Sequence, residues 1–208
     1  MFKYFKGFTL AEILITLTVI GVVSALTLPN VMKKYNEFVI KKRFAKFYSN
    51  ISQAFARGYN DNGMTWNCYY ALNNNSGFAG WNGNWTVCMN EGKEVFKYLK
   101  VIKKCRYTSG ENNCIKSYPR IQGSNFSDNY YFLSDGSIII TPHDYALLYF
   151  AVDINGAKGP NKNGYDIFWF ITARDGFTKN KFYIAPYPNH SIYEGGKTTK
   201  EMLENFNN

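Results

Sequence analysis

The sequence predicts an α+β protein, a long N-terminal α-helix packed on a C-terminal antiparallel β-sheet. Three observations predict it. Residues 8–28, FTLAEILITLTVIGVVSALTL, form an apolar stretch whose one charged residue is Glu12. Beyond it, Val31, Tyr35, Phe38, Phe44, Phe47, Tyr48, Ile51 and Phe55 recur mostly at three- and four-residue steps, the period of an amphipathic helix running to about Tyr59. The C-terminal half then changes to short β-rich runs separated by turn residues. With 46 % apolar and 19 % charged residues, the 208-residue chain can build a core and does not carry the signature of disorder. Its length suits one modest domain plus attachments. It lacks the several long apolar runs of a polytopic membrane protein.

The apolar stretch has the dimensions of a membrane span. Twenty-one helical residues (8–28) cover about 31 Å, close to the hydrocarbon thickness of a bilayer. Lys3 and Lys6 precede it and favour a cytoplasmic N-terminus, although Lys33 and Lys34 follow it. Charge is concentrated here. Residues 1–57 hold nine Lys and Arg against two acids, so most of the net +9 belongs to this end. That map argues against a globally basic nucleic-acid binder, and a nucleic-acid partner is not expected.

Glu12 is the informative residue. An acid at that depth costs roughly 2.5–3.5 kcal/mol on insertion scales and needs a partner. A free α-amino group at Phe8 of a neighbouring copy, made by cutting after Gly7, would supply it and would set subunit register. Two other readings stay open. One is a secretory signal peptide cut before Ala25, with Val22 and Ser24 as the small-residue site. The other is a plain membrane anchor.

Gly7-Phe8-Thr9-Leu10-Ala11-Glu12 followed by an uninterrupted apolar stretch resembles the prepilin processing signal of type IV pilins and of the pseudopilins of type II secretion systems. The resemblance implies cleavage after Gly7, methylation of the new N-terminus at Phe8, and an assembly role for Glu12. It implies a pilin-like fold and a single-pass inner-membrane protein whose head lies in the periplasm until it joins a filament. Its implied partners are identical or related pilin-like subunits, prepilin peptidase and inner-membrane assembly machinery. Pro29 stands where pilin helices often carry a proline, and would kink the helix or cap the span. The expected organisation is a leader at 1–7, a transmembrane and assembly helix at 8–29, and a head at 30–208 that includes an amphipathic helix at 30–59. The basic stripe Lys41, Lys42, Arg43 and Lys46 reads as a solvated helix face, with lipid headgroups or nucleic acid as the alternative.

In the head, residues 60–90 are rich in Asn, Gly and Trp, have no regular period, and read as a long loop. Residues 91–104 read as a short amphipathic helix with Val95, Phe96, Leu99 and Ile102 inward. Four cysteines, Cys68, Cys88, Cys105 and Cys114, suggest disulfides in an exported domain, by sequence proximity Cys68 with Cys88 and Cys105 with Cys114. Zinc is disfavoured, because there is no C-x-x-C pair and His143 and His190 are isolated. Strands are expected at 130–134 and 137–141 around an Asp135-Gly136 turn, at 146–152, at 166–172 and at 181–185. The tail 198–206 reads as a terminal helix.

Residues 153–166, DINGAKGPNKNGYD, place oxygen side chains among glycines. Hard cations favour oxygen ligands, and major pseudopilins carry calcium in a loop of their β region, so calcium on Asp153, Asn155 and Asp166 is one reading. An Asx- and Gly-rich turn without metal explains the same residues. No catalytic pattern is present. The chain has no G-x-S-x-G, no phosphate-binding P-loop and no H-E-x-x-H, and His143 beside Asp144 reads as a turn residue. The expectation is a structural filament subunit and not an enzyme. The alternatives are a surface pilin in adhesion or DNA uptake, or a secreted binding protein.

Overall fold

A computed structural model of the chain describes residues 7–62, 85–108, 111–112, 129–147, 149–174, 182–187 and 191–204. Two compact units result, Met1–Val39 and Ile40–Asn208. Helix α1 (Leu10–Asn62) contributes residues to both. It continues through Pro29, so the proline does not cap the span as one expectation had it.

In the first unit α1 is exposed, and over residues 10–28 its one charged residue is Glu12. Leu10, Leu14, Ile15, Leu17, Val19 and Ile20 all present their side chains to the surroundings. Val31, Tyr35 and Phe38, expected on an inward face, are also exposed. They fall in this unit, where α1 has no core to cover.

In the second unit the amphipathic period takes effect. Phe44, Phe47, Ile51, Ala54 and Phe55 of α1 are buried. They face a seven-stranded antiparallel sheet in the order β2-β1-β3-β4-β5-β6-β7. The strands are β1 (Val101–Thr108), β2 (Glu111–Asn112), β3 (Asn129–Leu133), β4 (Ile138–Thr141), β5 (Tyr149–Asp153), β6 (Ile167–Arg174) and β7 (Phe182–Pro186). Register explains the core. Tyr131, Ile139, Val152 and Phe168 are successive cross-strand partners, and all four are buried in the cluster that includes the α1 face. Their neighbours Tyr130, Ile140, Ala151 and Trp169 form the equivalent row in a second buried cluster on the other face. A sheet buried on both faces needs no apolar–polar alternation, which is why β4 reads as an unbroken Ile138-Ile139-Ile140. Phe170 sits among Phe44, Phe47, Tyr48 and Phe150, with ring centroids 5.6–6.2 Å away. Separations of that size suit aromatic packing.

Two expectations are corrected. The head helix α2 runs Trp85–Phe96, so residues 85–90 are helix and not loop. It ends before Ile102, which is 71 % exposed on β1 rather than inward on a helix. β-Branched Val101 pairs with Leu133 of β3 and Lys103 with Phe132, leaving Ile102 at a bulge, and this non-local pairing overrides the helical spacing of the segment. Strands β1 and β2 are not among the expected elements. Strand β2 pairs with β1 only at Tyr107 and Thr108, Lys103 and Lys104 stand on the rest of β1, and Pro186 ends the edge strand β7. The terminal helix α3 spans Thr199–Glu204.

Candidate functional site

The N-terminal site is built on the first turn of α1. Gly7, Phe8 and Thr9 precede the helix, and Phe8 is 84 % exposed. The Gly7–Phe8 peptide is therefore presented in non-helical, open chain, as a protease requires. Thr9 is the N-cap. Its backbone N–H donates to Glu12 Oε2 at 2.8 Å and its hydroxyl donates to the same oxygen at 2.7 Å. The Glu12 N–H donates back to Thr9 Oγ1 at 3.3 Å. This reciprocal arrangement is a capping box, which satisfies N–H groups that the helix itself leaves open. Glu12 thus has a partner within its own chain, which the reading from sequence overlooked. The T-x-x-E spacing was the available signal.

Further along, Thr16, Thr18 and Thr27 donate their hydroxyls to the carbonyls of Ile13, Leu14 and Val23 at 2.7–2.9 Å. Polar hydroxyls satisfied inside the helix are what a lipid environment demands. The helix is long and apolar enough to cross a membrane. Its exposed apolar surface, continuous around the axis, fits a lipid or helix-packed environment and not water.

The second candidate site is the loop between β5 and β6. Asp153 ends β5, Asp166 precedes β6, and both are fully buried. Asn161 and Lys162 donate their backbone N–H groups to the two oxygens of Asp166, each at 2.8 Å. The Asn155 side-chain amide also favours the charged form of that carboxylate. Burial pushes the Asp166 carboxyl above its usual range, and these donors oppose the shift. Asp153 Oδ1 accepts from the Asn155 N–H at 3.0 Å. Asn155 Nδ2 donates to the Gly159 carbonyl at 2.8 Å, and Oδ1 of the same side chain is buried without a hydrogen-bond partner. The structure therefore brings the three sequence-predicted residues together. Their oxygens are of the type calcium takes, and Asn155 Oδ1 fits that role, but Asp166 is already occupied by N–H donors. Among the described residues no group of three or more His, Cys, Asp or Glu side chains could hold a metal.

A strap of C-terminal residues holds this loop. Tyr193 and Lys197 donate their N–H groups to the carbonyls of Asn163 and Gly164 at 3.1 and 2.7 Å. The Tyr165 hydroxyl donates to the Glu194 carbonyl at 2.7 Å. Trp169 donates its indole N–H to Asn163 Oδ1 and its backbone N–H to Thr199 Oγ1, both at 3.1 Å. Thr199→Val keeps the side-chain shape and leaves the buried Trp169 N–H without this acceptor. The expected cost is about 1–3 kcal/mol, read from denaturant midpoints.

Cys88, buried in α2, and Cys105 on β1 are both disulfide-bonded. Cys68 and Cys114, and with them the expected pairing, lie outside the described residues. So does His190. His143 lies in the turn between β4 and β5, where burial and the nearby Arg106 guanidinium hold its imidazole below the usual range. The unfolded chain then binds the proton more readily. The contribution is complete above about pH 6.5 and is lost as pH falls through the lower folded value. His143→Asn is expected to reduce the fall in melting temperature between pH 7.5 and 5.5.

A model of the family of unknown function DUF6613 matches residues 30–204, most of the chain. The chain belongs to the DUF6613 family. A second model, the prokaryotic N-terminal methylation motif, matches residues 2–28. The DUF6613 region thus follows a prepilin-type processing motif, and the two matches meet beside Pro29. No curated protein and no solved structure matches this DUF6613 chain. The motif indicates type IV pilin-like prepilin processing, and the long N-terminal helix followed by an antiparallel sheet is a pilin-like arrangement.

Proposed function

We propose that the chain is a structural subunit, and not an enzyme, of a type II secretion pseudopilus or a related type IV pilus-like filament. Prepilin peptidase cuts after Gly7 and methylates Phe8. The mature subunit sits in the inner membrane through α1, with its head in the periplasm, and enters the filament through the same helix. One observation carries this reading: an exposed Gly7–Phe8 peptide stands directly before a capped helix whose first 19 residues, 10–28, are exposed, largely apolar and charged only at Glu12. The disulfide-bonded Cys88 and Cys105 accord with a periplasmic location, and the pairing expected from the sequence is Cys68 with Cys88 and Cys105 with Cys114. A surface pilin acting in adhesion or DNA uptake is the alternative within the same class.

The mature N-terminus tests the class. Intact-mass and N-terminal peptide analysis of the chain, made in a host with prepilin peptidase, is expected to give a methylated Phe8. A chain beginning at Ala25 would mean an ordinary signal peptide and would overturn the reading, because the assembly helix would be gone.

The 153–166 loop has a second reading, and the partnerless Asn155 Oδ1 favours it. Calcium there would take oxygens from Asp153 and Asn155 and add rigidity to the loop, with Asp166 left to its N–H donors. Terbium luminescence sensitised by Trp169 decides between the two readings. Emission that calcium displaces and Asn155→Leu abolishes supports the metal, whereas no emission leaves a turn closed by hydrogen bonds alone.

A further inference from the structure

The far end of the apolar run in α1 differs chemically from its middle. Residues 13–32 carry no charge, and Lys33 and Lys34 are the first charged residues beyond them. Twenty helical residues rise about 30 Å, the hydrocarbon thickness of a bilayer, so the two lysines stand where hydrocarbon gives way to headgroups. Both are exposed. Glu37 lies within helical reach of either by spacing, yet neither lysine forms an ion pair with a carboxylate among the described residues. Around them Val31, Met32, Tyr35 and Phe38 are each more than half exposed. All of these residues belong to the first unit, where α1 has no core to cover.

The residue types suit a boundary between lipid and water. Tyrosine joins an apolar ring to a wet hydroxyl, and lysine joins an apolar stem to a charged tip. Headgroups surround a helix that crosses a bilayer, so contacts with them need no common face. Lys33, Lys34 and Tyr35 fall about 100° apart round α1 and still meet one layer. Their charge is unusual for its side. Under the proposed function this end faces the periplasm, where the positive-inside bias disfavours lysine. Cutting after Gly7 also removes Lys3 and Lys6, so Lys33 becomes the first cationic side chain of the mature chain. Apart from the new α-amino group, the charge that can hold the mature helix to lipid is at its outer end.

We propose that Lys33 and Lys34, with Tyr35 beside them, bind the phosphate headgroups of anionic phospholipid at the outer end of α1. Each ammonium offers three donors to phosphate oxygens. One lysine near an anionic surface strengthens binding about fivefold, and the pair about 30-fold. The site fixes the depth of the helix, because sliding inward would draw two charges into hydrocarbon. It also makes the hold on the membrane depend on lipid charge, and that hold is released when a subunit leaves the bilayer for the filament. The proposal rests on the membrane placement in the proposed function. Processing after Gly7 and filament entry stand whether or not these lysines select anionic lipid.

The test is native mass spectrometry of the full processed chain, released from zwitterionic micelles doped with equal amounts of phosphatidylglycerol and phosphatidylcholine of the same acyl chains. The parent is expected to carry phosphatidylglycerol in preference, by at least about tenfold, and less so as salt rises. Lys33→Gln with Lys34→Gln should lose the preference. Lys33→Arg with Lys34→Arg should keep it, which separates charge from any disturbance of the helix. Lys41→Gln with Lys42→Gln, farther along α1, should bind as the parent does. Should the double glutamine variant fail to fold, each single Lys→Gln change decides, with an expected loss of about fivefold. Equal uptake of the two lipids by the parent overturns the proposal, as does an undiminished preference in the glutamine variants. So does loss of the preference in the Lys41 and Lys42 variant alone. Full displacement of the lipid by equimolar soluble glycerophosphate also overturns it, since the site would then be one for free phosphate.

Discussion

Gly92→Ala is expected to lower the stability of the head by about 3 kcal/mol, against the usual preference of helices for alanine. In mid-helix, alanine is favoured over glycine by about 1 kcal/mol. Here a Cβ on Gly92 would stand 1.7 Å from the carbonyl oxygen of Tyr145, a backbone atom that no side-chain rotation can remove. Either α2 or the 142–147 turn would have to move, and overpacking of this kind costs about 1–3 kcal/mol or more.

The turn is poorly placed to give way. Tyr145 adopts φ +56°, and its N–H donates to the Tyr131 hydroxyl at 2.6 Å. That hydroxyl donates to Asp144 Oδ1 at 2.5 Å, and burial together with the Asp144 carboxylate holds the Tyr131 proton in place far above its usual range. Lys104 pairs with the same oxygen at 2.5 Å and lies over the Tyr145 ring at 4.3 Å. Phe96, one turn along α2, packs on the Tyr131 and Tyr145 rings with centroids 4.4 and 5.2 Å away. A displaced turn would disturb all of these at once. The check is thermal unfolding, where the midpoint should drop by about 6–12 °C for a domain of this size. Lys93→Ala, one residue on and exposed, should change it little. A rise in midpoint for Gly92→Ala would show that helix propensity decides and that the Tyr145 carbonyl does not bear on α2.

Gly92 also marks the limit of what could be read from the sequence. The motif at Gly7–Glu12, the apolar span and the α1 face of Phe44, Phe47, Ile51 and Phe55 follow from local periodicity, and so does the β3–β4 hairpin at Asp135-Gly136. The strands β3 to β7 were legible within one to three residues because turn chemistry and β-branched or aromatic runs agree there. Strand β1 was not, since Val95, Phe96, Leu99 and Ile102 have helical spacing and only pairing with β3 selects a strand. Residues 85–90 were hidden by the Asn- and Gly-rich composition around them. The contacts that fix the candidate loop are farther still from local pattern. Trp169 meets Thr199 across 30 residues, and Tyr165 meets Glu194 across 29. Asp166, by contrast, meets Asn161 and Lys162 within five residues, and that turn was visible as an Asx- and Gly-rich run.

Glu12 carries the other large expected effect, and the capping box makes it separable into two parts. Its carboxylate both caps α1 through Thr9 and bears a charge that an apolar environment penalises by roughly 2.5–3.5 kcal/mol. Capping alone does not require that charge, since glutamine serves the same position in a capping box. A charge retained at such a cost points to a charged partner, and under the proposed function that partner is the methylated α-amino group at Phe8 of a neighbouring subunit. Glu12→Gln should therefore keep the helix start, membrane insertion and processing after Gly7, yet lose filament assembly. A charged hydrogen bond is worth about 1.5–3 kcal/mol, so each subunit contact should weaken about 10- to 100-fold. Glu12→Leu, which removes cap and charge together, should assemble no better. Thr9→Val, which keeps the charge and removes the hydroxyl, should assemble more readily than either. The measurements are sheared-filament yield for assembly, carbonate extraction for insertion and peptide mass for processing. Full assembly by Glu12→Gln would mean that the carboxylate serves only its own helix, and subunit register would then have to come from the apolar side chains of α1.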